Sequence, residues 1–137
     1  MLKLAIAYIS TGLVFLVLDG AFLTLAGMKL YKPEIGELIS EQVRLPPAAL
    51  FYFLYVGGML YFCVAPNLGG SWVKAAISGA ILGLVAYGTY DLTCHAVMRV
   101  WSTKVTVIDM AWGTFASAVA CGGGVILTKL ISARTGA

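Results

Sequence analysis

Charge is what this chain has least of. Of its 137 residues only 11% are Asp, Glu, Lys or Arg, while 61% are hydrophobic. That is too little polar surface to coat a soluble globule, and the length has room for one domain. No run of like charges occurs, and the net charge of +3 comes from single Lys and Arg residues at segment edges, which excludes a nucleic-acid-binding arm. Cysteine is scarce as well. Cys63, Cys94 and Cys121 are odd in number and lack CxxC spacing, so they read as small membrane side chains and not as a disulfide framework or metal cluster. The single histidine, His95, makes a thin metal site, because zinc wants three or four ligands and bis-His haem ligation is impossible within one chain. No GxSxG, Walker-type, dinucleotide-binding or HExxH motif is present. The expectation is therefore no cofactor, no metal and no assigned catalytic residue.

What the chain does have is apolar runs near the length that crosses a bilayer: 4–28, 47–65, 73–97 and 105–131. Four spans put both termini on one side. Met1-Leu2-Lys3 and Thr24-Leu25-Ala26 resemble parts of a signal peptide, but the first apolar stretch is too long and contains Asp19, so it reads as a retained anchor. Asn67-Leu68-Gly69-Gly70 ends the second helix, Ser71 is an N-cap for the third, and Pro46-Pro47 opens the second. In the connection between the first two spans, Ile35, Leu38, Ile39 and Val43 fall on one helical face and Glu34, Glu37 and Glu41 on the other. This predicts a short surface helix over 33–43, interfacial or simply solvated. The expected fold is an all-α membrane protein, a single domain over 1–137, built as an antiparallel bundle of four transmembrane helices with a short interfacial helix between the first and second.

Three acids lie inside these spans. An acid at the centre of a membrane helix costs roughly 2.5–3.5 kcal/mol on insertion scales, so it marks a function or a structural bond. With side A holding the termini and side B the opposite face, a rise of about 1.5 Å per residue puts Asp19 roughly 15 Å in from Lys29, Asp91 roughly 12 Å in from Arg99 and Asp109 roughly 8 Å in from Lys104. All three belong to the B half. Orientation is not encoded, since side A has four Lys and Arg residues and side B five.

The sharpest pattern is in the third helix, where Gly79, Gly83, Tyr87, Asp91, His95 and Arg99 recur at a spacing of four. They form one stripe that begins as a small-xxx-small packing surface and becomes polar toward side B. Thr89, Tyr90 and Thr93 add hydrogen-bonding groups. The bland reading is an interhelical hydrogen-bond seam. Asp109, Gly113, Ser117 and Cys121 repeat the spacing in the fourth helix beside Trp112, although Thr106 followed by Asp109 also fits a capping box. Asp19 has no capping context, so it must be protonated, hydrogen-bonded or paired. Phe51, Tyr52, Phe53 and Tyr55 bring aromatics to the same region, where the tyrosine hydroxyls are partners for buried carboxyls; the bland reading is an interfacial belt, which suits Phe51 and Tyr52 better than the deeper Tyr55. His95 follows Asp91 by four residues, which predicts a proton relay between them or a hydrogen bond that fixes the ring.

Val85-Ala86-Tyr87-Gly88-Thr89-Tyr90-Asp91-Leu92-Thr93 and Lys104-Val105-Thr106-Val107-Ile108-Asp109-Met110-Ala111-Trp112-Gly113, together with Leu18-Asp19 and Phe51-Tyr52-Phe53-Leu54-Tyr55, resemble the hallmark stretches of an uncharacterised family. It is the four-span membrane proteins catalogued as domain of unknown function 2177. The chain departs from the family's pattern at Phe22, where a Trp is expected. The resemblance implies a multi-pass protein of the bacterial inner (plasma) membrane and carries no activity with it.

Three function classes follow. The first is binding or proton-linked transport of a small or lipid-like solute in a polar intramembrane cavity lined by Asp19, Asp91 and Tyr87. Tyr55, Thr89, His95, Arg99, Asp109 and Trp112 complete that candidate ligand- or proton-binding set. Four helices are few for a carrier, so this reading expects a homodimer or larger assembly in the lipid bilayer, packed through Gly79 and Gly83 or the small face of the fourth helix. The second is an accessory subunit or sensor of a larger membrane complex, with the acids as structural pegs. The third is a membrane-embedded lipid-modifying enzyme using Asp91 and His95 as acid and base.

Overall fold

The computed structural model describes residues 2–26, 45–99 and 101–135, and these fold into four helices, each long and apolar enough to cross a membrane, with no strand among them. Helix α1 is Leu2–Ala26. Helix α2 is α-helical over Leu45–Met59, widens into a π turn at Leu60–Val64 and closes with a 3-10 turn at Ala65–Asn67. Helix α3 is Trp72–Val97 and α4 is Thr103–Thr135. The surface helix expected over 33–43 lies outside the described residues.

Local chemistry explains the breaks. Pro66 has no N–H and its ring crowds the carbonyl four residues earlier, and the chain answers by widening, with the Ala65 N–H bonding the Leu60 carbonyl. The Asn67 side chain then donates to the Cys63 carbonyl at 2.7 Å. Ser71 caps α3 through its hydroxyl, which accepts from the Val73 N–H at 3.1 Å. Helix α4 has 33 residues, about 50 Å at 1.5 Å each, longer than the roughly 30 Å of hydrocarbon. Its A-side end reaches past the α2–α3 turn, where the Lys129 ammonium donates to the Gly70 carbonyl.

Contacts fix the topology. Asp19 meets Tyr52 and Gly12 meets Val56, so α1 and α2 run antiparallel. Trp72 lies by Gly122, Gly79 by Ser117 and Gly88 by Met110, so α3 and α4 do too. The termini of α1 and α4 likewise oppose each other, with Thr11 at Gly124 and Phe22 on Trp112.

Small residues hold the bundle together. A Cβ on Gly79 would sit 2.6 Å from the Ser117 carbonyl oxygen, and one on Gly83 would collide with the Gly113 carbonyl, so α3 and α4 touch backbone to backbone. Gly124 likewise leaves room for the side chain of Thr11. Large apolar side chains such as Leu13, Val17, Phe53, Leu54, Ile81 and Phe115 point outward, where lipid and not water is the solvent. The glycines expected to form a dimer face are therefore consumed inside the chain, and a second copy would have to pack elsewhere.

Candidate functional site

The acids are found in the B half of the bundle, each in a different environment. Asp19, on α1, is 8% exposed and accepts a hydrogen bond at Oδ2 from the Tyr52 hydroxyl of α2. Fully buried Phe15, one turn from Asp19 on α1, holds the tyrosines edge-on, with ring centroids 6.0 Å from Tyr52 and 5.3 Å from Tyr55. Tyr52 thus supplies the donor that a carboxyl in hydrocarbon requires. The sequence offered a tyrosine hydroxyl as a partner for such an acid but favoured an interfacial belt for Tyr52 over that role.

Tyr55 turns inward and shares a 2.5 Å hydrogen bond with Ser117 of α4. Its ring packs edge-on to Tyr87 of α3 at 6.2 Å and is stacked with Phe51 at 5.4 Å. Tyr87 lies flat over Gly113, where any Cβ would enter its ring. That contact continues the glycine seam and sets the Tyr87 phenol within electrostatic range of the carboxyls of both Asp19 and Asp109. Tyr87 is accordingly the centre around which the acids of α1 and α4 gather.

Asp91 differs from Asp19. It is fully buried, and neither of its oxygens meets a hydrogen-bond donor. The group facing it is a second carboxyl, Asp109 of α4. Neighbouring carboxyls repel each other when both are ionised. Beside this pair is a half-open recess of about 360 Å³ lined by Phe51, Ala86, Tyr87, Tyr90 and Asp109. Asp19 and Asp91, expected to line a cavity with Tyr87, are not in its wall. Asp19 is turned to Tyr52, and Asp91 is fully buried next to Asp109. Phe51 and Tyr90, which the sequence placed nearby without a role, do line it.

The remaining candidates fall outside the recess. His95 does not bond to Asp91. Its ring nitrogens lie 3.3 Å from the Thr103 hydroxyl and 3.2 Å from that of Thr106, while the Trp101 indole donates to Thr106 at 2.8 Å. The histidine therefore ties the end of α3 to the start of α4. Arg99 is exposed beyond the end of α3, and the Thr89 hydroxyl bonds its own helix at the Val85 carbonyl, 2.6 Å away. Trp112 stacks on Phe22 with centroids 4.4 Å apart, and its indole N–H is buried without a partner. The capping box expected for Asp109 is not formed. Helix α4 already begins at Thr103, the Ser102 hydroxyl accepts from the Val105 N–H at 3.4 Å, and Thr106 is engaged by Trp101 and His95. Asp109 is thus a mid-helix acid.

The model of one protein family, described as "Predicted membrane protein (DUF2177)", matches residues 4–126. No curated protein and no solved structure matches the chain. The chain belongs to this family, domain of unknown function 2177, and is a multi-pass membrane protein.

Proposed function

We propose that the B half of the bundle is an intramembrane binding site for a small or lipid-like solute, whose entry is linked to a proton held between Asp91 and Asp109. The observation that carries this reading is Asp91, fully enclosed, without a donor and facing another carboxyl. Charge on both members would set two anions against each other, one of them fully buried, so one proton shared by the pair is the low-energy state. Such an arrangement serves no packing need that an Asn or a Leu would not meet better, and membrane acids of this kind mark proton and solute paths. The recess gives a solute access to Asp109, and Tyr87 links that wall to Asp19.

The accessory-subunit reading is favoured at one position, because Asp19 with its Tyr52 bond behaves as a peg between α1 and α2. An enzyme using Asp91 and His95 as acid and base would need them in reach of each other, and His95 is engaged with Thr103 and Thr106 instead. Residence in a bacterial inner membrane and assembly as a homodimer belong to the same proposal. Movement of solute across the bilayer would call for a second copy, whereas binding alone would not.

Thermal stability of the purified protein against neutral, anionic and cationic small solutes and lipid-extract fractions tests the reading. At least one class should raise the melting temperature of wild type and leave Asp91→Asn unmoved. If no class does so, the recess is not a binding site and the acids are pegs.

A further inference from the structure

We propose that Cys63 and Cys121 form a redox-active dithiol in the A half of the bundle, oxidised in place to a disulfide by a lipid-soluble quinone. The sequence presents these residues as small membrane side chains, and the fold brings them together. Cys63 stands in the π turn of α2 and Cys121 on α4, and both are fully buried. Their thiols are in hydrogen-bonding contact across the interface between the two helices. Neither residue belongs to the acid site of the B half, so the two sites stand or fall separately.

The surroundings hold the pair in place. A Cβ on Gly79 would sit 2.8 Å from the Cys121 sulfur, so the backbone of α3 packs directly against that side chain and limits where it can turn. On the other side, the Asn67 amide donates to the Cys63 carbonyl at 2.7 Å and fixes the widened turn before Pro66. Turns of this kind are frequent at functional sites. Two sulfurs in contact meet the first requirement of a disulfide. Among the described residues no group of three His, Cys or acidic side chains could hold a metal, so the pair lacks the ligands of a zinc site. Two-electron exchange is the chemistry that two adjacent thiols offer.

The medium selects the oxidant. Both sulfurs lie in the apolar core with Met59, Val64 and Ala120, and a charged aqueous oxidant would have to enter that core without its water. A quinone dissolves in the lipid around the bundle, and Tyr61 and Phe62, the two residues before Cys63, are exposed to that lipid. The exchange balances. Two S–H bonds break and one S–S bond forms, while two electrons and two protons pass to the quinone, whose carbonyl oxygens become the hydroxyls of a quinol. No charged product is left in the bilayer. The disulfide staples the end of α2 to α4, and through Gly79 to the α3–α4 seam.

The test uses the full-length protein in nanodiscs, reduced with a phosphine and then incubated without air with decylubiquinone, whose fully substituted ring accepts electrons without adding a thiol. Free thiols are counted by maleimide labelling of the unfolded chain and mass spectrometry. The chain has three cysteines, all of them free. Wild type should fall from three labels to one, kept by Cys94, with one quinol formed per protein. Cys94→Ala should lose both of its labels, whereas Cys63→Ala and Cys121→Ala should keep theirs. Because the bond closes a long loop, the oxidised form should melt at least about 5 °C above the reduced one. An oxidised form that melts no higher would show that the disulfide is not made in place and overturn the inference. If the thiol oxidant diamide joins Cys63 to Cys121 and the quinone does not, the quinone is overturned as the oxidant. If neither reagent joins them in the folded protein, the two thiols are packing groups and the whole inference falls.

Discussion

The α1–α2 contact and the B end of the α3–α4 contact solve the same problem in opposite ways. Each places an aspartate about two turns inside the end of a membrane helix. On α1 the acid is met by a tyrosine hydroxyl, with Phe15 fixing the ring, and its hydrogen-bonding demand is answered within the fold. On α3 the acid is met by another acid, and nothing in its surroundings donates to it. A structure that had only to be stable would repeat the first solution. The second leaves a demand that the proposed shared proton would satisfy, and it stands beside the aromatic recess.

The comparison is broken most severely by attacking the seam that presses Asp91 toward α4. Gly83 touches the Gly113 carbonyl, and backbone does not yield, so Gly83→Leu should cost about 3 kcal/mol or more by overpacking. It should appear as loss of monodisperse protein or a large drop in melting temperature. Gly20, with open space around its Cβ position, should accept Ala within about 0.5 kcal/mol.

Next in size is Tyr52→Phe, which strips the donor from Asp19 and leaves a buried carboxyl unsatisfied. A cost of about 1–3 kcal/mol is expected, measured by thermal or denaturant unfolding in detergent. Most of it should be recovered in the double variant Tyr52→Phe, Asp19→Leu, where neither polar group is left alone. Full additivity of the two changes would show that the bond between them contributes nothing.

Asp91→Asn sharpens the contrast from the other side. The amide supplies a donor to Asp109 without a proton, so stability should hold or rise by about 1 kcal/mol, while solute binding and its proton release disappear. A variant that loses stability but keeps binding would reverse the roles assigned to the two acids. The smallest effect is expected at His95, whose bonds to Thr103 and Thr106 lie near the exposed end of the bundle. His95→Ala should cost about 1 kcal/mol or less and leave binding unchanged, since the histidine is not in contact with Asp91.

Much of this was legible in the sequence. Four apolar runs, the Ser71 cap and the four-residue stripe on α3 specify the bundle, because bilayer thickness and helical periodicity leave few alternatives. The stripe also identified Gly79, Gly83, Tyr87 and Asp91 as one face. Spacing within one helix could not say what that face would meet. The glycines turned out to pack on α4 of the same chain, and Asp91 faces Asp109 and not its own-helix neighbour His95. The capping box failed for a related reason: Ser102 lies one turn earlier and takes the capping role, so the motif at Thr106 and Asp109 sits inside a helix that has already begun. Pairings across helices, such as Tyr52 with Asp19 and Tyr55 with Ser117, depend on rotation about each helix axis, which apolar runs leave undetermined.

The most direct test is infrared difference spectroscopy at neutral pH on wild type, Asp91→Asn and Asp19→Asn, read in the band of protonated carboxyl groups. The account predicts such a band in wild type and in Asp19→Asn, and its loss in Asp91→Asn, because the proton belongs to the Asp91–Asp109 pair. A band that survives in Asp91→Asn and vanishes in Asp19→Asn would place the proton on the acid bonded to Tyr52 and contradict the assignment.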